Sequence, residues 1–279
     1  MDSYAYYNGN FDIREKINIP LSDRAVFFGD AIYDAAIGSY DRILWEEEHI
    51  ERFLLNAERI GIKHPYSKKY LSDLLREIGV RSMFKTYFIY FQMSRSQPAR
   101  VHTARGAIAN LLITIDPIEI LPDPAPLKLI TTEDVRYELC DIKTINLLPA
   151  VLAATKADFM NSDEAIFVKN GFVTECSKSN ISIIKQGSLI THPANNRILP
   201  GITRAHLLKI CEKNNVPVIE RPFTVEELIS ADEILITGTG KLCKRACIID
   251  GISVGEKNTS LAKILCSKMY NEYAKFCII

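Results

Sequence analysis

Neither sign of charge is in excess in this 279-residue chain, where 34 lysines and arginines balance 34 aspartates and glutamates. A neutral chain casts no global field toward nucleic acid or an anionic membrane surface, so its partners must be recognised by local chemistry. The seven cysteines (Cys140, Cys176, Cys211, Cys243, Cys247, Cys266, Cys277) are odd in number and include no CxxC pair to seed a zinc or redox centre. That usage points to a reducing compartment and to no metal. Long hydrophobic runs are missing too: no apolar stretch approaches the roughly 20 residues that span a bilayer. The N-terminal MDSYAYYNGNFD carries neither a basic nor an apolar leader region. The expectation is a cytoplasmic protein with small-molecule partners, without membrane or nucleic acid. Internal repeats and low-complexity tracts are also lacking.

With 47% hydrophobic and 24% charged residues, the composition is that of a globular protein able to bury one large core or two modest ones. DPIEILPDPAP, at 116–126, carries four prolines, which neither continue a helix nor sit in a central strand. It divides a small α+β domain (1–118), a proline-rich linker (119–126) and a larger α/β or α+β domain (127–279). Strands and tight turns are expected through 25–40, punctuated by Gly29 and Gly38. Apolar residues at helical spacing predict helices over 47–60 and 67–78, and aromatic and β-branched runs predict strands over 86–93 and 107–115. Beyond the linker the same signals give strands at 127–132, 165–169 and 181–185, and helices at 149–160, 203–213, 224–230 and 260–276. A cleft between two domains is the default ligand site.

Three segments could carry chemistry. In LPGITR, a Pro-Gly turn delivers the chain into a helix whose first N–H groups point outward, with Thr203 as N-cap and anion ligand; an ordinary capped helix start reads the same way. Lys143 lies in the mostly apolar CDIKTINLLP, where a lysine would be desolvated into a nucleophilic amine or would snorkel from a half-buried strand. Glu175 sits in the polar run VTECSKSN and taken alone could simply be solvated or a helix cap.

Together, and in this order, SDRAVFFGDAIYD, EEHIERF, IYFQMSR, CDIKTINLLPAVLA, EAIFVKNGFVTECSKSNI, THPANNRILPGITR and ITGTG resemble the fold type IV pyridoxal-phosphate enzymes. That class holds branched-chain aminotransferases, D-amino-acid aminotransferases and aminodeoxychorismate lyases. The resemblance implies a two-domain fold with pyridoxal 5'-phosphate in the interdomain cleft. It implies that Lys143 binds the cofactor covalently and that Glu175 faces the pyridine nitrogen, keeping it protonated so that the ring can accept electrons from the substrate Cα. The phosphate cup of the class falls on Arg52, Ile202, Thr203 and Thr239.

The substrate side resembles the D-amino-acid aminotransferases. Pro98-Ala-Arg-Val-His102 matches the R-x-H element that, with the tyrosine of the G-D-x-x-Y block, holds the substrate α-carboxylate in those enzymes. The matching positions are Arg100, His102 and Tyr33. Residues spaced by one point to the same side of an extended segment, so the guanidinium and imidazole can reach one carboxylate. In relatives this loop enters the partner subunit's site, which implies a homodimer. The chain departs from the class at Asp34, where glutamate is usual and the pocket wall is expected to differ. It departs again at Gly238 and Gly240, where hydroxyl residues are common, and in the basic KLCKR of 241–245. His49 is either an orienting residue or a surface histidine. The expected reaction is ping-pong transfer of an amino group between a D-amino acid and a 2-oxo acid. L-branched-chain transamination and aminodeoxychorismate lyase activity are alternatives on the same Lys143 and Glu175.

Overall fold

The aromatic and β-branched runs of the first 117 residues pair into one antiparallel sheet. The structure, a computed structural model, describes residues 3–278. Strands β1 (Tyr4–Tyr7), β2 (Asn10–Ile13), β3 (Ala31–Ser39), β4 (Arg42–Ile43), β5 (Thr86–Ser96) and β6 (Ile108–Pro117) take the order β2-β1-β6-β5-β3-β4. Helices α2 (Glu46–Arg59) and α3 (Lys68–Ser82), the latter capped by the Ser67 side chain on the Tyr70 amide, follow the predicted periodicity. Their apolar stripes, including Ile50, Phe53, Leu71, Leu75 and Ile78, share one core with Tyr87, Ile89, Phe91 and Met93 of β5. Each such side chain removed from water contributes about 1.5–3 kcal/mol.

Within residues 25–40, the expected strand forms at 31–39, but the start of the segment departs from the expectation of strands and turns. Arg24–Phe28 form a short helix, α1, because the Asp23 carboxylate caps it at the Ala25 amide, and Gly29 closes it at φ 61.

The second unit is built on a ten-stranded sheet. Its strands are β7 (Leu127–Glu133), β8 (Glu164–Lys169), β9 (Phe172–Cys176), β10 (Asn180–Lys185), β11 (Ser188–Thr191), β12 (Val218–Glu220), β13 (Phe223–Thr224), β14 (Glu233–Gly238) and β15 (Leu242–Ile249). They run in the order β12-β11-β10-β14-β15-β7-β8-β9-β13, with β16 (Ile252–Ser253) on β15. Strand β7 lies parallel to both β8 and β15. Helix α4 (Leu148–Phe159) buries Ala153 and Ala157 against Ile130, Ala165 and Phe167. Helix α5 (Ile202–Lys213) and helix α7 (Thr259–Cys277) pack on β14 and β15. Helix α6 (Val225–Ser230) starts with a capping box between Thr224 and Glu227. Among the described residues no helix is long and apolar enough to cross a membrane.

The chain divides at Glu119/Ile120 rather than across a separate linker: Ile120 and the proline-rich segment behind it belong to the second unit. Ile142–Asn146 return to the first unit, away from the domain that the sequence assigned them to. The reason is backbone pairing, since the Tyr33 amide donates to the Lys143 carbonyl at 2.9 Å and the Ile145 amide to the Ala31 carbonyl at 3.2 Å.

Candidate active site

In the first unit the returning segment sets Lys143, half-buried, beside β3, with its Nζ 4.3 Å from the centroid of the Tyr33 ring. Tyr33 in turn stacks on Tyr90 of β5, centroids 5.2 Å apart, so the phenol is held from behind. The structure thus brings two of the sequence-predicted residues together.

Asp34, next along the strand, points to the other side of the sheet and is wholly buried. It is not the pocket wall that its departure from the class suggested. Its Oδ1 accepts from the Ala35 amide, His49 Nδ1 and Arg52 Nη2, each at 2.8 Å, and its Oδ2 accepts from Arg52 Nε at 2.8 Å. His49 and Arg52 reach it together because they stand three apart on α2 and share a face. Burial alone would raise the Asp34 carboxyl, but the Arg52 charge and His49 hold it well below the usual carboxylate range. His49 is lowered below its ordinary value, first by burial and further by Arg52 and Lys143. It is therefore neutral at pH 7, with its proton on Nδ1 toward Asp34. His49 orients its neighbours; it is no surface histidine, being 2% exposed.

Arg100 and His102 lie in the loop after β5, and both sit on Phe28 of α1. The Arg100 guanidinium is 5.1 Å and the His102 ring 5.3 Å from the Phe28 centroid. The R-x-H pair is thus gathered on one aromatic platform.

In the second unit Glu175 of β9 is buried, and its two oxygens have different work. Oε2 accepts from Asn180 Nδ2 at 2.9 Å and from the Leu199 amide at 3.1 Å. Asn180 also donates to the Leu199 carbonyl at 3.0 Å, so one side chain ties Glu175 to the turn that opens α5. Oε1 accepts from Arg136, which also forks onto Asp134 through Nε at 2.9 Å and Nη2 at 2.8 Å and lies over the Phe167 ring. Burial would raise Asp134, yet Arg136 lowers it, and burial would lower Arg136, yet its two carboxylates raise it. Glu175, held by Arg136, Asn180 and the Leu199 amide, is a buried acceptor that suits a protonated ring nitrogen. Arg136, Asp134 and Asn180 are residues that the site list drawn from the sequence missed. Only Asn180 left a signal, as the closing residue of T-E-x-x-x-x-N.

Helix α5 begins at Ile202 with Gly201 as its N-cap and no side-chain cap, so Thr203 is inside the first turn and is not the N-cap expected of it. Gly201 has no substitute here: a Cβ would lie 2.0 Å from Asn180 Oδ1. Amide groups of a twelve-residue helix left uncapped by any side chain, in a turn braced on a buried carboxylate, are a donor set that fits a phosphate. Thr239 follows β14 in the turn 238–241. A Cβ on Gly238 would lie 3.3 Å from that of Ser179, so glycine there serves close approach. Lys241, from the unexpectedly basic KLCKR, pairs with Glu164, which is wholly buried and also accepts from the Lys178 amide and from Ser179 Oγ. The pair staples the turn bearing Thr239 to the turn after β9.

The sequence profile of the amino-transferase class IV family matches residues 32–248. A D-alanine aminotransferase from Staphylococcus epidermidis is 38% identical over 256 residues, covering 89% of this chain and 90% of that protein. A D-alanine aminotransferase from Listeria monocytogenes serotype 1/2a is 35% identical over 272 residues, covering 89% and 88%. Among solved structures, the branched-chain aminotransferase of the thermophilic archaeon Thermoproteus uzoniensis with norvaline superimposes with a TM-score of 0.86 at 25% identity, covering 99% of this chain and 97% of that one.

Proposed function

The chain belongs to the class IV aminotransferases, and on that premise we propose that it transfers the amino group of a D-amino acid, of the D-alanine or D-glutamate type, to a 2-oxo acid. The observation that carries the substrate assignment is the gathering of Arg100 and His102 on Phe28. A guanidinium and an imidazole that both lie within about 5 Å of one aromatic ring are near enough to suit one α-carboxylate. Relatives named for D-alanine support the same reading.

Enzymes of this class are pyridoxal-phosphate dependent, and when bound the cofactor supplies a carbonyl that takes the amino group and a ring that accepts electrons. The Lys143 amine, beside the Tyr33 ring, would hold the cofactor and, as a free amine, would serve as the general base and acid for the substrate Cα proton. Glu175, its orientation fixed by Arg136, Asn180 and the Leu199 amide, would keep the cofactor's ring nitrogen protonated. By resemblance to the class, the groups that would hold the phosphate are Arg52, steadied by Asp34 in the first unit, and, in the second unit, the first turn of α5 at Ile202 and Thr203 together with Thr239. Tyr33, Arg100 and His102 bind the substrate carboxylate. We extend the proposal to a homodimer in the cytoplasm, in which the exposed Arg100–His102 loop of one subunit serves its partner.

The test is a half-reaction in the holoenzyme, following cofactor absorbance after mixing with D-alanine, L-leucine or aminodeoxychorismate. Amination of the cofactor by D-alanine but not L-leucine is expected, and a Lys143→Ala variant should lose turnover. Reaction with L-leucine alone would overturn the substrate assignment; full turnover by Lys143→Ala would overturn the mechanism.

A further inference from the structure

We propose that Arg24 is a positioning residue for substrate recognition: its guanidinium clamps the backbone of the loop that carries Arg100 and His102. Arg24 opens α1 and is 4% exposed, which is unusual for an arginine that serves no obvious core. All three of its nitrogens donate to fixed acceptors. Its Nη1 donates to the Val101 carbonyl at 2.6 Å and, more weakly, to the Thr103 carbonyl at 3.4 Å. Its Nη2 donates to the His102 carbonyl at 2.8 Å, and its Nε to Asp30 Oδ2 at 2.7 Å. Three consecutive carbonyls of an otherwise irregular segment are thus gripped by one rigid fork.

The fork is itself held. Asp30 is shared with Arg95, which donates Nη2 to Oδ1 at 2.7 Å and Nε to Oδ2 at 3.0 Å and hydrogen-bonds the carbonyls of Ile60 and Gly61. The helix start is anchored by Asp23, whose carboxylate also accepts from Ser94, Asn110 and Tyr7. Arg24 lies over the Phe28 ring at 4.6 Å, the same ring that supports Arg100 and His102. Arg24 and Arg100 line one cavity of about 190 Å³ together with Phe27 and Phe28. The clamp fixes the spacing of the two recognition groups, and a displacement of about 1 Å costs on the order of a hundredfold in such sites.

This inference rests on the assignment of Arg100 and His102 to the substrate carboxylate, and the experiment separates the two claims. In the holoenzyme, D-alanine and 2-oxoglutarate kinetics and competitive inhibition by propionate, a bare carboxylate, are measured for Arg24→Met, Arg100→Met and the double variant. Arg24→Met is expected to raise both KM values and the propionate inhibition constant by ~10-fold, with kcat within about threefold. The double variant should cost less than the two single losses combined, because part of the effect of Arg24 runs through Arg100. Arg24→Lys keeps the charge but not the fork and should keep the KM defect; it also serves should Arg24→Met fail to fold. If Arg100→Met raises KM while both Arg24 variants leave it unchanged, if lysine restores it, or if the two effects simply add, the clamp is refuted and the carboxylate assignment stands. If Arg100→Met itself leaves KM unchanged, the carboxylate assignment falls and the clamp with it.

Discussion

Replacing Asp34 by asparagine removes one charge at the point where α2 is fixed to β3. Four donors converge on the carboxylate: three on Oδ1, from Ala35, His49 and Arg52, and one on Oδ2, again from Arg52. An amide keeps one acceptor oxygen and turns an NH2 group toward donors, while Arg52, 11% exposed, loses its counter-charge. Breaking a buried pair from one side costs about 3–5 kcal/mol. With a urea slope of about 3 kcal/mol per molar, the unfolding midpoint should fall by roughly 1 M. The only tryptophan, Trp45, precedes α2 directly, so its fluorescence reports this unit. The pH dependence has a definite sign. The Asp34 carboxyl is lowered by folding, so its stabilisation is complete above the unfolded value of about 3.9 and is lost as pH falls toward the folded one. The gap between wild type and variant should be constant from about pH 5 to 7 and should narrow below about pH 4. A midpoint within about 0.2 M of wild type at pH 7, or a gap that widens in acid, would refute the reasoning.

Arg136→Met leaves Asp134 and Glu175 without their shared cation; a loss of ~100-fold in the half-reaction rate is expected, and a rate within threefold of wild type would show that Glu175 needs no such support. Glu164→Leu and Lys241→Met should each destabilise the second unit by about 3 kcal/mol, with the double variant costing less than the sum; a circular-dichroism denaturation cycle with additive losses would sink the staple. His49 is lowered by folding from 6.5, so the unfolded chain binds more protons just below that pH and stability should rise with pH through the window. Its ring signal in NMR should therefore titrate below that of an ordinary histidine, and titration at 6.5 or above would contradict its burial.

Local patterning made much of the fold legible. The spacing of Ile50, Phe53, Leu54 and Ala57 gave α2 to within a residue at its start, and the helix expected over 224–230 matches α6 at Val225–Ser230. Lys143 and Glu175 were legible as motif residues, but the groups that hold them were not. Arg136 reaches Glu175 across 39 residues, Arg24 reaches Val101 across 77, and Lys241 reaches Glu164 across 77. No periodicity encodes such pairs, and in the sequence Arg24 and Arg136 read as ordinary surface charges.

By itself the sequence determined most of the helices, several of the strands, the order of the motifs and the reaction class they point to, because caps, turns and apolar spacing act between residues a few positions apart. Only the tertiary structure decided that Lys143 returns to the first unit, that Asp34 is buried under Arg52, and that Arg24 clamps the recognition loop. Those outcomes depend on which charges are desolvated together, and desolvation is a property of the packed chain, not of its neighbours in sequence.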